Sequence, residues 1–269
     1  MCILIIYDCG SSIVMEVTTI YLFDVDGTLT PAKTRIDFNF ANDFRDWIEG
    51  KEVYIVSGGS YERIIDQLGV SIVDKMAGVF ACMGNTFYQK YKSGNTGQYS
   101  EWKLIYENKF KAPRGFYKQL DSIVKESPYE SKTRRHYEER IGMVNFSIVG
   151  RDASPPQRRA YSDYDAMEKE REQIVKALSK KYKSLDFVIG GAVSIDIFNK
   201  GNDKSQVIEK FFKDSLKTHK IAFVGDKIPR PGNDHALAEK LRKHPNGEAY
   251  EVESWRDTAK LLKTPPFTS

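Results

Sequence analysis

The sequence predicts an α/β fold: a Rossmann-like parallel-sheet core domain with an α+β domain inserted into it. Three observations predict this. Between residues 19 and 82, short apolar runs alternate with amphipathic helical stretches, the pattern of parallel strands joined by crossover helices. The pattern breaks at the turn-rich Ser93-Gly94-Asn95-Thr96-Gly97 and gives way to longer, more charged segments. It resumes after Asn199. The expected organisation is an extension at 1–17, a discontinuous core at 18–92 and 199–269, and an inserted domain at 93–198.

Thr19 to Phe23 reads as a buried strand that ends in Asp24. Phe38 to Ile48 has the spacing of an amphipathic helix. Glu52 to Val56 is a second buried strand, followed by Ser57-Gly58-Gly59-Ser60 and a helix over Tyr61 to Leu68 with Ile64, Ile65 and Leu68 on one face. Ala77 to Cys82 is a third strand. Within the insertion, Gly142 to Val149 alternates like a strand with one exposed face, and Asp163 to Tyr182 reads as one long charged helix. Val193 to Phe198 alternates again, with Ser194 and Asp196 on one side. After that, Lys204 to Phe212 is helical, Lys220 to Val224 is a strand ending in Gly225-Asp226, and Ala236 to Leu241, Glu248 to Val252 and Trp255 to Leu262 read as helix, strand and helix.

Composition excludes several classes. Apolar residues make up 41% and charged residues 29%, which rules out a collagen, a disordered chain and a disulfide scaffold. A net charge of +4 is too mild for a nucleic-acid partner, which requires a concentrated basic surface. No segment approaches the roughly 18–20 apolar residues that span a bilayer, so no membrane partner is expected. The apolar start has no basic flank and is interrupted by Asp8, which argues against a secretory leader. Three cysteines, Cys2, Cys9 and Cys82, are an odd set without metal spacing, and point to a reducing, cytoplasmic compartment. The four histidines show neither metal nor triad spacing.

The chemistry gathers at element ends. In Asp24-Val25-Asp26-Gly27-Thr28, the first carboxylate can act as a nucleophile that accepts a phosphoryl group, and the second as general acid and base. Gly27 permits the tight turn between strand and loop. Ser57 and Gly58 offer a hydroxyl and backbone N–H groups to a phosphate at the end of another strand. Lys204 opens a helix and can neutralise an aspartate and a phosphate together. Asp226, with Asn233 and Asp234 in the following loop, can complete an oxygen-rich Mg²⁺ site with Asp24 and the Asp26 carbonyl. Each signal alone is ordinary turn or cap chemistry. Together, in this order and each at an element end, they point to phosphoryl transfer.

In these four motifs the chain resembles the haloacid dehalogenase-type phosphotransferases, with the insertion resembling their larger α/β cap. A narrower resemblance rests on Arg140-Ile141-Gly142-Met143-Val144-Asn145, on Arg151 eleven residues later and Arg158 seven after that, on Gly190-Gly191-Ala192-Val193-Ser194-Ile195-Asp196, on Asp203-Lys204, and on Gly225-Asp226-Lys227 with Gly232-Asn233-Asp234-His235. These look like the eukaryotic-type phosphomannomutases, over about residues 19–262. The resemblance implies interconversion of mannose 6-phosphate and mannose 1-phosphate through an aspartyl phosphate and a hexose bisphosphate, supplying GDP-mannose synthesis. Asp24 is then the nucleophile and Asp26 the acid/base. Arg140, Arg151 and Arg158 hold the phosphate that is not reacting, with Lys33, Asn145, Ser194 and Asp196 as further substrate contacts. It also implies Mg²⁺, a glucose 1,6-bisphosphate or mannose 1,6-bisphosphate activator, and a homodimer through the cap, for which Trp102, Leu104, Ile105 and Tyr106 are the apolar residues near the cap entrance.

The chain departs from the family pattern in three places. Lys33 stands where an arginine is usual, with Arg35 as a substitute close by. Pro231-Gly232 replaces a pair of glycines before Asn233-Asp234. Ser57 stands where some relatives have glycine, leaving Ser57 and Ser60 as alternatives for the phosphate contact. The competing readings are a sugar-phosphate phosphatase, which needs the core motifs but no arginine trio, and a non-enzymatic phosphosugar-binding module.

Overall fold

The structure is a computed structural model that describes residues 4–8, 11–15, 18–93 and 98–268. Cys2, Cys9 and the turn at 94–97 lie outside the described residues. Part of the extension forms a separate two-stranded antiparallel hairpin, β1 (Leu4–Asp8) with β2 (Ser11–Met15).

The core sheet begins with β3 (Thr19–Phe23), which is buried on both faces as a central parallel strand must be. Asp37 caps α1 (Phe38–Ile48) by accepting the amides of Asn39 and Phe40, and the helix buries Phe40, Phe44 and Ile48, spaced four apart, on the sheet. Phe44→Ala would remove a fully buried ring at a cost of about 3–5 kcal/mol. Next come β4 (Glu52–Val56), α2 (Tyr61–Leu68), the single turn α3 (Val70–Val73) and β5 (Gly78–Ala81). The long antiparallel pair β6 (Thr86–Ser93) and β7 (Gln98–Glu107) adds to the same sheet. The returning chain supplies β12 (Lys220–Gly225), α7 (His235–Arg242), β13 (Gly247–Glu251) and α8 (Trp255–Leu261). Strand order is β13-β12-β3-β4-β5-β6-β7, parallel from β13 to β5. The ends of β3, β4 and β12 therefore lie side by side, and they carry Asp24, Ser57 and Asp226. This is the crevice beyond the carboxyl ends of the strands, where open α/β sheets bind ligands.

The smaller unit contains α4 (Phe116–Glu126), β8 (Tyr137–Arg140), β9 (Met143–Phe146), α5 (Pro155–Glu168), α6 (Glu170–Lys181), β10 (Leu185–Gly190) and β11 (Ser194–Asn199). Its four-stranded antiparallel sheet has the order β10-β11-β9-β8, and one face packs on a hydrophobic core of its own that includes Phe116, Leu120, Tyr161 and Leu178.

Four expectations differ from the structure. The large sheet continues past residue 93 through β7, so Trp102, Leu104, Ile105 and Tyr106 lie on the outer strand of the core sheet and not in the smaller unit. The single helix over Asp163 to Tyr182 is two helices. The break is at Lys169, which adopts φ 56°, and the Asp165 carboxylate accepts both the backbone amide and the Nε of Arg171 to satisfy the new helix start. β9 is buried on both faces, because the face carrying Asn145 is turned towards the core domain instead of solvent. The helix after Lys204 has a π-helical turn over Ile208–Phe212.

Candidate active site

Asp24 leaves β3 with its amide bonded to the Val224 carbonyl at 3.0 Å, which ties this position to β12. Its carboxylate is almost fully buried and accepts the Lys204 ammonium at 2.6 Å. The same ammonium donates to Asp234 at 2.6 Å. Burial alone would pull Lys204 down, but Asp234 and Asp24 more than offset it and hold the ammonium charged. Burial also raises the Asp24 carboxyl well above its usual range; Lys204 opposes the shift, while Asp234 and Asp226 add to it. Asp226 is raised by burial as well.

Asp26 is on the other side of the Gly27 turn. Its Oδ1 accepts the Lys33 amide at 2.6 Å and the Gln67 amide nitrogen at 2.8 Å, and Arg63 is 3.9 Å from Oδ2. Gly27 adopts φ 92°, and a Cβ there would run into the Asp226 carboxylate, so only glycine lets the two acidic loops approach so closely. Ser57 accepts the Gly59 amide at 3.1 Å and faces the cavity, whereas Ser60 caps α2 by accepting the Arg63 amide. Ser57, not Ser60, is therefore the hydroxyl presented at this site.

The smaller unit closes the cavity from above. On β8, Arg140 donates Nε to Glu138 at 2.7 Å and Nη1 to the Gly58 carbonyl at 2.6 Å, a direct link to the core loop. Arg151 donates to the other oxygen of Glu138 at 2.8 Å and lies 3.5 Å from the Ser194 hydroxyl. Although burial opposes it, the two guanidiniums hold the Glu138 carboxyl down at about 2. Asn145 donates to Asp196 at 2.6 Å, and its own side-chain oxygen is buried without a partner among the described residues. Lys33 is pushed down to about 6, first by burial and then by Arg151, Arg158, Arg63 and Arg140. Burial and the neighbouring Arg151 and Arg63 lower Arg158 to about 10.

One cavity is lined by Asp24, Asp26, Lys33, Ser57, Gly58, Arg140, Asn145, Arg151, Arg158, Ser194, Asp196, Asp226 and Asn233. The core contributes Asp24, Asp26 and Asp226 to its lining, and the smaller unit contributes Arg140, Arg151 and Arg158 together with Asp196. Lys204 and Asp234 are fully buried just beneath it. Arg35 is exposed and does not line the cavity, so Lys33 has no substitute there. The Pro231-Gly232 loop still delivers Asn233 to the cavity and Asp234 to Lys204.

Carboxylate oxygens of Asp24, Asp226 and Asp234 lie within 4.8 Å of one another. Asp24 and Asp234 share the buried Lys204, and Asp226 pairs with Lys227 at 2.6 Å; burial first, with neighbouring carboxylates adding to it, raises the Asp24 and Asp226 carboxyls. A hard divalent cation suits such an all-oxygen donor set. Within it, Asp234 is anchored through both oxygens, by Lys204 and by the Lys227 amide, whereas Asp24 and Asp226 reach the cavity.

Residues 41–265 match the family described as eukaryotic phosphomannomutase. The chain belongs to this family. It is 30% identical to the phosphomannomutase of Saccharomyces cerevisiae over 91% of this chain and 92% of that one. It is 32% identical to human phosphomannomutase 1 over 80% and 81% of the two chains. Among solved structures it is similar to a haloalkanoate-superfamily phosphatase from Bacteroides thetaiotaomicron, at a TM-score of 0.52 and 15% identity over 92% of this chain and 94% of that one. An IMP-bound IMP-nucleotidase mutant from Plasmodium falciparum gives a TM-score of 0.57 and 14% identity over 92% of this chain and 66% of that one. Both likenesses concern the fold alone, a mixed α/β fold with a central, mainly parallel sheet.

Three groups at this phosphomannomutase-family site escape a motif reading. Arg63 lines the cavity, Gln67 orients Asp26, and Glu138 joins two arginines. Gln67 does leave a trace, a polar residue on the helix face of Ile64 and Leu68. Glu138 leaves another, two residues before Arg140 on a strand and hence on the same face.

Proposed function

We propose that this chain interconverts mannose 6-phosphate and mannose 1-phosphate. One observation carries the reading: the carboxylates Asp24 and Asp26 and the cationic groups Lys33, Arg63, Arg140, Arg151 and Arg158 line a single cavity. A bisphosphorylated hexose has two dianionic ends. The cavity offers phosphoryl-transfer chemistry to one and a cationic site to the other.

In this reading, a carboxylate oxygen of Asp24 attacks phosphorus, the bond to the sugar oxygen breaks, and an aspartyl phosphate forms. Asp26, held by Gln67 and the Lys33 amide, gives its proton to the departing sugar oxygen and takes one from the incoming hydroxyl. Lys204 keeps Asp24 oriented. Ser57 and Gly58 bind the reacting phosphate, while Arg140, Arg151, Arg158 and Lys33 bind the distant one. Asn145, Ser194 and Asp196 face the sugar. Asp24, Asp226, the Asp26 carbonyl and Asn233, backed by Asp234, would hold Mg²⁺, which supplies charge neutralisation at the reacting phosphate. The smaller unit acts as the cap and excludes water that would hydrolyse the aspartyl phosphate. A homodimer through the cap, a cytoplasmic setting and supply of mannose 1-phosphate for GDP-mannose belong to the same proposal. No helix among the described residues is long and apolar enough to cross a membrane.

The test is conversion of mannose 1-phosphate and of glucose 1-phosphate, each with Mg²⁺ and with or without glucose 1,6-bisphosphate. Mannose 6-phosphate formed only with the bisphosphate is the expected result. Free sugar and inorganic phosphate as the only products would replace the proposal with a sugar-phosphate phosphatase.

A further inference from the structure

We infer that Glu138 is the positioning residue on which the distal phosphate clamp is built, an inference that rests on the mutase reading above. β8 is the edge strand of the cap sheet, and Glu138 and Arg140, two apart on it, share one face. Register places Glu138 opposite Asn145, and Asn145 opposite Asp196, so one row across the sheet runs carboxylate, amide, carboxylate. Of these, Asn145 and Asp196 line the cavity, and Glu138 stands at the edge behind two arginines that line it as well.

Each oxygen of Glu138 serves a different arginine. Oε1 accepts Arg140 Nε at 2.7 Å; Oε2 accepts Arg151 Nη2 at 2.8 Å and Nε at 3.1 Å. The Arg140 and Arg151 side chains are only 6% and 4% exposed, so neither charge is relieved by water. Arg63 and Arg158 add like charge nearby. Two buried guanidiniums in that field would repel each other and splay apart without a shared anion. Glu138 holds them side by side, and it uses Nε of one and the Nε–Nη2 edge of the other. It also removes one unit of positive charge from a site that must release and reclaim a bisphosphate in every cycle.

Glu138 touches no reacting atom, so its loss should appear in substrate binding before it appears in turnover. The experiment measures kcat and KM for mannose 1-phosphate, with Mg²⁺ and glucose 1,6-bisphosphate, in the wild-type chain, Glu138→Gln and Glu138→Asp, alongside calorimetric binding of mannose 1-phosphate and a thermal melt. Glu138→Gln should raise KM and Kd roughly tenfold or more and lower kcat much less. Glu138→Asp, which keeps the charge on a shorter stem, should recover part of the loss. A folded Glu138→Gln with KM and Kd within twofold of wild type overturns the inference. If Glu138→Gln does not fold, Glu138→Asp decides: a rise of threefold or more in Kd supports it, and an unchanged value overturns it. A wild-type chain that only hydrolyses mannose 1-phosphate would defeat the mutase reading, whereas the binding comparison still reports on the two arginines.

Discussion

Lys204 and Asp24 form an ion pair at 2.6 Å in which the lysine side chain is fully buried and the aspartate side chain is 6% exposed. They are 180 residues apart in sequence and join the two ends of the discontinuous core. Because the same ammonium also serves Asp234, removing it would strand two carboxylates in a dry site. Lys204→Met should cost about 3–5 kcal/mol of stability, the usual penalty for breaking a buried pair, and should abolish turnover. A thermal melt that matches wild type would mean that these acids are neutral without the lysine.

Asp24→Asn should abolish the phosphoenzyme altogether. The check is a base-labile, acid-stable radiolabel transferred from labelled glucose 1,6-bisphosphate. Label retained on the variant would show that another group is the nucleophile.

Arg151 is anchored on one edge by Glu138 and turns towards Ser194 with the rest of its guanidinium. A charge-assisted contact to phosphate is worth about 1.5–3 kcal/mol, so Arg151→Ala should cut kcat/KM for mannose 1-phosphate about 10- to 150-fold. Turnover of a small phosphate ester without a second anionic group should change far less. An equal loss on both substrates would place Arg151 in the core chemistry instead of the clamp.

The Lys33 amine, lowered to about 6 by burial and four arginines, carries little charge in the ligand-free site at pH 7.5. An arriving phosphate dianion favours the ammonium and raises that value, so binding should draw a proton from solution. The sign fixes the window: uptake appears above about pH 6, where the free amine is neutral, and vanishes below it, where the amine is already charged. Calorimetry in two buffers of different ionisation enthalpy reads the proton count. Lys33→Arg, charged throughout, should lose this uptake; the same uptake in both proteins would assign it to the substrate.

Asp24, Asp226 and Asp234 repel one another in the metal-free chain. Mg²⁺ should therefore raise the melting temperature saturably, and Asp226→Asn should weaken that shift. This readout is independent of catalysis. A melt insensitive to Mg²⁺ in the wild-type chain would remove these acids as its ligands.

Much of the fold was legible because local physics sets it. The helix Phe38–Ile48 and the strands Thr19–Phe23 and Glu52–Val56 coincide with their sequence spans, since apolar spacing marks them without reference to the rest of the chain. The break at Lys169 was not legible. The helical pattern runs straight through it, and the compensation comes from an Asp165–Arg171 pair that forms only once the chain has turned. Residues 98–107 likewise read as part of the insertion, because a strand's sheet is set by its partner and the partner lies across a turn.

For the site, the acids and their order are legible along the chain: Asp24 and Asp26 beyond one strand, Asp226 beyond another, and Lys204 at a helix start. Parallel strands place their ends together, so position along the chain is enough. How the charges are shared follows from the folded arrangement alone. It put Lys204 between Asp24 and Asp234, set Glu138 between Arg140 and Arg151, and left Lys33 rather than Arg35 in the cavity. The reason is that Coulomb interactions fall with distance and strengthen with burial, and neither distance nor burial is written in the spacing of residues along a chain.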